Sequence, residues 1–387
     1  MLAKSWFPGA CFALALANNA AGQAPPSLQI ATDFRFGAVD GPQALTHVGN
    51  VLIAKDGSII IAQPLERLVK ILSPAGALHR RFGRHGRGPG EFESISAIGL
   101  KGDSIFVSDS ELRRVTIFDP AGALAKVLNI ASPMLGTPPR IYFATAPEVL
   151  FDDGSALVKP ELPPAHLVLP DASVPFLRIS PEGLILDTLA WAKPAASTYV
   201  PVISGASRVF VQPPFPDDDI VVLCPDASGL VLIRRPVPTS TQATTFVVMK
   251  KAPDGRVLYE TRISYTPIPL TDDIIQGVLG PNAAKWLERG VSTDDVKQAL
   301  RRASHLPRYL PPVTEALATH DGGLWIRLEN VAAEMTRWLG FDAAGHPVGT
   351  LTAARALSIR AARGSRLIAV ERDTLDVEYI VGLRIGS

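Results

Sequence analysis

A short turn signature recurs five times along the chain and restricts its fold more than any other feature. It stands in "ILSPAGALHRRF" (71–82), "IFDPAGALAKVL" (117–128), "RISPEGLILDTL" (178–189), "KKAPDGRVLYET" (250–261) and "GFDAAGHPVGTL" (340–351). In each, a β-prone run meets a small or acidic residue, then Pro (Ala in the last), then Gly, then a second β-prone run. Proline presets φ at the first corner of a turn, and glycine supplies the positive φ at its end. Five such hairpins in one chain point to a repeated antiparallel unit.

Each unit carries a further signal upstream. Six segments join Gly or Asp to an apolar strand: "DGSIIIAQ" (56–63), "GDSIFVSD" (102–109), "DGSALVKP" (153–160), "ASGLVLIR" (227–234), "DGGLWIRL" (321–328) and "RGSRLIAV" (363–370). The unit therefore reads strand, turn, strand, loop, strand, turn, strand. A four-stranded antiparallel sheet repeated radially is the propeller solution to exposed sheet edges. The fold class expected is all-β, a six-bladed β-propeller with a small helical insertion. A ring of this kind must close or leave unpaired edges, and "SLQIATDFRFG" (27–37) is the segment available to complete the last blade after "VEYIVGLRIGS".

Composition agrees. Hydrophobic residues make up 47% of the 387 residues and charged residues 19%, ample for a sizeable core, and Gly 31 with Pro 34 suits many short strands. Basic and acidic residues nearly cancel, 38 against 37, which gives no push toward nucleic acid or anionic membrane. Residues 1–24 read as an export signal: Lys4, an apolar stretch from Phe7 to Ala17, and small residues from Ala20 to Ala24. The stretch is about half the ~20 residues a membrane span needs. The mature chain, 25–387, is then expected outside the cytoplasm, periplasmic or secreted, with no span after signal removal. Cys11 leaves with the signal, since Pro8 stands where a lipoprotein needs a Leu-like residue, so Cys224 remains alone and reads as a buried apolar residue.

One corner is unusually rich in glycine. In "FGRHGRGPGEF" (82–92) four glycines and a proline lie between two phenylalanines, and the glycines let backbone pass between blades while Phe82 and Phe92 bury in the seam. "GRHGRGPGEF" followed by "DSIFVSDSELRRVTIFDPAGAL" resembles the NHL-type repeat and the bacterial exported six-bladed propellers related to it. The matching residues are Gly83, Gly86, Gly88, Pro89, Gly90, Glu91, Phe92, Asp109, Arg114, Val115, Phe118, Asp119 and Gly122. The resemblance is strong over about 70 residues of the chain, and "RDTLDVEYIVGLRI" also looks like the closing strands of those proteins. Later blades lack the GPGEF segment and do not cleanly repeat the Asp109 position.

The period breaks late in the chain. Gly255 and Gly345 stand 90 residues apart, and the excess reads as helices within an insertion at about 271–312. "PNAAKWLERG" (281–290) has Asn282 as cap and Gly290 as stop, and "STDDVKQALRRASH" (292–305) has Ser292 or Thr293 as cap with Val296, Ala299, Leu300 and Ala303 on one face. Such an insertion lies on one face, where function often sits, or else is a packing hairpin or a dimer contact. Proline-rich "KPELPPAHLVLPDASVPF" (159–176) and "QPPFPDDD" (212–219) read as rim loops.

Catalytic motifs do not appear. His47, His79, His85, His166, His305, His320 and His346 show no zinc-helix spacing, and there is no HExxH, GxSxG, P-loop or dinucleotide fingerprint. Arg80, Arg81, Arg84 and Arg87 form the densest basic cluster, and Arg84, His85, Arg87 and Glu91 are the candidate binding residues, suited to an anionic group. Arg113 and Arg114 read as ion-pair partners between blades. Asp217, Asp218 and Asp219 are oxygen donors of the kind calcium takes, which makes calcium the runner-up to no cofactor, but three adjacent side chains cannot all converge on one ion. Catalytic and metal residues are assigned to none. The function expected is a binding or scaffold module presenting one face to a protein, peptide or glycan. The alternative is a propeller hydrolase or lyase with a metal in the central channel, which needs carboxylates such as Asp109 and Glu329 to converge.

Overall fold

The computed structural model describes residues 25–129, 134–135, 142–144, 146–161, 173–193, 199–216, 218–303, 305–329 and 334–386. The chain is all-β with few helices, and its sheets are propeller-like. Four sheets have four antiparallel strands each, in sequence order. The first runs Val51–Ile53, Ile59–Gln63, Leu68–Leu72 and Leu78–Phe82; the second runs Ala97–Lys101, Ser104–Asp109, Arg114–Phe118 and Leu124–Asn129. The third holds Val149–Leu150, Ala156–Val158, Val174–Ile179 and Ile185–Ala192, and the fourth Ile220–Leu223, Leu230–Arg234, Thr244–Lys251 and Val257–Tyr265. In each, the repeated Pro-Gly turn joins the third strand to the fourth, as the sequence signature requires.

The remaining large sheet has eight strands in two antiparallel halves. One half is Val313–Ala318, Leu324–Leu328, Met335–Phe341 and Pro347–Ala354; the other is Ser358–Arg363, Arg366–Arg372, Glu378–Gly386 and the N-terminal strand Ser27–Phe36. The halves are joined into one sheet where Ser27 and Leu28 pair in parallel with Thr350 and Leu351. The N-terminal strand otherwise runs antiparallel to the C-terminal one, from Gln29 opposite Gly386 to Phe36 opposite Ile380. Asp33 to Arg384 at 3.0 Å and Arg35 to Glu371 at 2.9 Å reinforce that pairing.

Why the strands read as unbroken apolar runs follows from what their faces touch. In Ile59–Gln63 every residue is buried. Ile59 and Ile61 pack with Phe36, Ile368 and Ile380 of the last half-sheet, whereas Ile60 and Ala62 pack with Phe92, Ile98 and Val107 beside the second sheet. Strands covered on both faces lose the apolar-polar alternation. Equivalent clusters join the second sheet to the third, the third to the fourth, the fourth to the first half of the eight-stranded sheet, and that half to the second.

Polar side chains cross several of these seams and donate to backbone carbonyls of the next sheet. Lys250 Nζ reaches the Gly322 carbonyl at 2.8 Å, Ser108 Oγ reaches Pro147 at 2.6 Å, and Arg363 Nε reaches Ile53 at 3.0 Å. Lys250 is 2% exposed, and a buried ammonium is tolerable only with such an acceptor.

The seating of the N-terminal strand also rests on one aromatic ring. Phe34 lies where Cβ atoms on Gly76 and Gly382 would fall 2.2 and 2.1 Å from its ring. Those two glycines leave the space the ring fills.

The period-breaking region is helical. Helix α1 is Asp272–Leu279, α2 is Ala283–Leu287 and α3 is Thr293–Arg302, with a 3-10 turn at Gly280–Asn282. Ser292 caps α3 in a capping box with Asp295, and Gly290 takes φ 72° before it. Asn282 precedes α2 without a side-chain cap bond. Helix α1 is additional to the two helices expected from the sequence; Thr271 caps it and Asp272 and Asp273 open it. A hairpin, Val200–Ser204 with Ser207–Val211, packs on these helices. Its Val200, Val202, Val209 and Val211 share a core with Ile275, Leu279, Val296 and Leu300. Two segments flanking the fourth sheet in sequence thus make one cap.

Candidate functional site

The glycine-rich corner is built around its own carboxylate. Glu91 Oε1 takes Arg84 Nη2 at 2.6 Å and Arg84 Nε at 2.8 Å, while Oε2 takes the Gly88 N–H at 2.7 Å. The Gly88 N–H, and then Arg84, hold the Glu91 carboxyl below its usual range. A Cβ on Gly86 would lie 2.3 Å from that carboxylate, and Gly86 has φ 147°. Both facts require glycine there. Of the four residues suggested by sequence, Arg84 and Glu91 are brought together as partners of each other. His85 turns to Glu93, with Nε2 3.1 Å from Oε2, and Arg87 is exposed.

The corner is fixed to the second sheet by two residues. Asp109, 1% exposed, accepts from the Glu93 and Leu112 N–H groups and from Ser94 Oγ. Arg114 donates to the carbonyls of Arg87, Gly88 and Glu91. Arg114 does bridge neighbouring sheets, but through carbonyls rather than the ion pair expected. Carbonyls are what the turning backbone offers, and the Glu91 carboxylate is already held by Arg84 and Gly88. Phe92 is fully buried, its ring centroid 6.1 Å from that of Phe118, which lies 4.2 Å from that of Phe82.

The residues that open toward solvent together lie elsewhere, under the cap. A cleft of about 850 Å³ separates the cap from the ends of the fourth sheet and the eight-stranded sheet. Its volume falls in the ~300–1,000 Å³ range of ligand pockets. Helix α1 lends Ile274, Gly277 and Val278, and Pro214, Phe215, Pro216, Pro281, Leu310 and Pro311 complete an apolar roof. The floor is polar: Arg235, Thr314, Arg327, Glu329 and Arg355, with Asp273 at the margin. By strand direction this floor lies at the sheet ends opposite the Pro-Gly turns, where strand-to-strand loops and sheet-to-sheet connections emerge.

Two floor guanidiniums are set rigidly. Arg235, with a side chain 4% exposed, donates to the Val313 carbonyl at 2.7 Å and to the Asp218 carbonyl, and lies 3.3 Å from the Asp218 carboxylate. Arg327 donates from Nε to Thr314 Oγ1 at 2.8 Å and from Nη1 to Glu315 at 2.9 Å. Neither Asp218 nor Glu315 lines the cleft. The cap is braced by Asp272, which takes Lys297 at 2.8 Å and Arg301 at 2.6 Å and so ties α1 to α3.

Asp218 and Asp219 do not form a cation site with each other. Asp218 faces Arg235, and Asp219 Oδ2 accepts the Lys193 N–H at 2.9 Å, while Asp217 lies outside the described residues. Among the described residues no three His, Cys, Asp or Glu side chains are grouped to hold a metal. Cys224 is 1% exposed, and burial pushes its thiol up to about 11. Among the described residues no helix is long and apolar enough to cross a membrane, and the segment read as an export signal lies outside them.

No family model and no curated protein matches this chain. Solved structures do. A member of the DUF4221 family from Bacteroides vulgatus is 9% identical, covering 94% of this chain and 100% of its own, with a TM-score of 0.48. A gluconolactonase from Xanthomonas campestris is 10% identical over 97% and 98%, with a TM-score of 0.37. A virginiamycin B lyase from Staphylococcus aureus is 11% identical over 92% and 99%, with a TM-score of 0.37.

Proposed function

We propose that this chain is an exported six-bladed propeller of the NHL type, acting as a binding or scaffold module for a protein, peptide or glycan partner at one face. Reading the eight-stranded sheet as two blades is supported by the apolar clusters. Each joins one four-stranded unit to the next, and one joins the last unit to the first. Export is supported by the sequence of residues 1–24 and by the single cysteine left after them. N-terminal sequencing of the secreted protein tests that step, with cleavage close to Ala24 expected.

The observation that carries the binding role is the cleft between cap and sheets. Its apolar roof and polar floor suit an extended peptide with apolar side chains better than a glycan, whose hydroxyls would face the roof unpaired. The glycine-rich corner supports the scaffold instead, because Glu91 already occupies the place an anion would take.

Panning a displayed peptide library on the mature protein, followed by hydrogen exchange of the complex, tests this. Protection confined to 212–216 and 272–281, and loss of binding on Val278→Asp, is expected. Enriched ligands that protect the Pro-Gly turn end would refute it. The alternative, a metal-dependent hydrolase or lyase, needs a converging donor set. Stoichiometric metal in protein purified from the cell envelope would favour that reading.

A further inference from the structure

We propose that the outward face of the cap hairpin is the contact between two copies of this chain. One face of the hairpin carries Val200 opposite Val211 and Val202 opposite Val209; the other carries Pro201 opposite Phe210 and Ile203 opposite Arg208. The valines are covered by Ile275 and Leu279 of α1 and by Val296 and Leu300 of α3. The opposite face stands open. Ile203 is 66% exposed, Phe210 57%, and Tyr199, one residue before the first strand, 60%. Pro201 and Arg208 are exposed with them.

The composition of that face is the first argument. An antiparallel sheet packed on one side normally turns polar side chains to water. The outer strand Leu78–Phe82 of the first sheet does so with His79, Arg80 and Arg81. The hairpin shows the expected alternation of buried and exposed positions, yet three of its four outward paired positions are apolar. Strands apolar on both faces are strands covered on both faces. Within one copy the described residues cover only one.

The area is the second argument. Tyr199, Pro201, Ile203 and Phe210 together leave roughly 500 Å² open, in the upper part of the ~300–600 Å² range of the largest patch on a monomer. A standard interface buries about 800 Å² per partner, and homodimer interfaces are about 65% apolar, again roughly 500 Å². One hairpin face therefore supplies the apolar share of one dimer interface.

Shape and charge select a second copy as the occupant. The face is a two-stranded sheet, and none of its four apolar residues lines the cleft. Such a face suits another sheet face, packed about 10 Å away, better than a peptide that needs a groove. Arg208 is the one charge among the paired outward positions, and its guanidinium lies over the Phe210 ring, 4.8 Å from the centroid. A two-fold axis across the strands stacks the Ile203–Arg208 row of each copy on the Pro201–Phe210 row of the other. Each guanidinium then meets a second aromatic ring instead of a second cation. A bilayer fits less well. At the hairpin tip Ser207 lies against Gly290, beside the acidic first turn of α3 with Asp294 and Asp295, and an anionic lipid surface repels those carboxylates.

Sedimentation equilibrium of the chain from residue 25 onward tests this. The average mass should climb toward that of two copies between about 1 and 100 μM. Phe210→Asp and Ile203→Asp each replace an outward side chain that covers no core. Each should weaken self-association at least about tenfold while leaving the unfolding midpoint unchanged. Ile203→Ser gives the same reading through a milder change if an aspartate variant unfolds. Leu186→Asp, on the exposed outer strand of the third sheet, and Val278→Asp, in the cleft, should leave the dimer intact. A monomer throughout that range would overturn the proposal. So would a dimer that survives both hairpin aspartates, or one that Leu186→Asp breaks. Monomeric protein that sediments with phosphatidylcholine vesicles and is released by Phe210→Asp would also overturn it, in favour of a membrane contact. None of these results bears on peptide binding in the cleft, which Val278→Asp tests separately.

Discussion

His320 should make this protein acid-sensitive in a narrow window. The residue is 5% exposed and lies in the turn after Val313–Ala318, against the last half-sheet. Its backbone N–H donates to the Ala362 carbonyl at 2.8 Å, and Nδ1 lies 3.3 Å from the same oxygen. Nε2 is buried without a partner. Burial is the main cause that lowers its pKa to about 4 from 6.5, with Arg363 adding to the shift and the Ala362 carbonyl, Asp321 and Asp226 opposing it. The unfolded chain takes up the proton near pH 6.5, while the folded chain resists until about pH 4. The unfolded state therefore binds more protons between those values, and stability rises with pH across them. The contribution is complete above pH 6.5, is lost as pH falls toward 4, and changes no further below that. Linkage over such a shift amounts to about 2 kcal/mol of lost stability between pH 7.5 and pH 5. The assay is urea unfolding of wild type and His320→Gln at both pH values. Carboxylates elsewhere titrate equally in both proteins, so the difference isolates this imidazole. The variant should lose about 2 kcal/mol less than wild type on acidification. Parallel pH dependence in the two proteins would refute the reasoning.

Three further outcomes are expected. Gly382→Ala places a methyl 2.1 Å from the Phe34 ring and should destabilise by about 1–3 kcal/mol, as overpacking does, with faster hydrogen exchange along Ser27–Phe36 than elsewhere as the check. Removing 271–312 alone should yield aggregated protein, because Val200, Val202, Val209 and Val211 lose their cover, whereas removing 199–216 as well should restore a soluble chain; light scattering decides. Cys224, 1% exposed with its thiol near 11, should resist a thiol reagent at pH 8 until denaturant is added, and a fast reaction of the folded protein would contradict its burial.

The repeat was legible because turn chemistry is local. Pro and Gly at fixed offsets in 73–76 and 119–122 dictate a hairpin whatever surrounds them, and the structure places turns there. Pairing of Ser27–Phe36 with Glu378–Gly386 was legible for a different reason, that a last unit with three strands of its own leaves an open edge for a fourth to cover. Helix α1 was not read because Gly277 interrupts "DDIIQGVL" and its apolar face is short. The cleft was not read at all. Arg235 and Arg327 sit at or just beyond the ends of second strands, and nothing local distinguishes them from the neighbouring Arg234 or Arg337. Only the folded chain brings Val313 and Asp218 to Arg235.

That contrast explains where a ligand site has room to form. The seams are filled from both sides, as Ile59 to Ala62 illustrate, and a binding group placed there would have to displace a neighbour's core. The turn end is occupied by tight hairpins and by side chains such as Lys250 that tie one sheet to the next. Loops and connections at the opposite end can lengthen without breaking a seam, and the connections before and after the fourth sheet have done so. Because they share one core through Val200, Val209, Val296 and Leu300, the two insertions must move or unfold together. Anything bound between Val278 and Arg327 would hold that cap against the sheets, so ligand affinity and cap stability are one equilibrium seen from two sides.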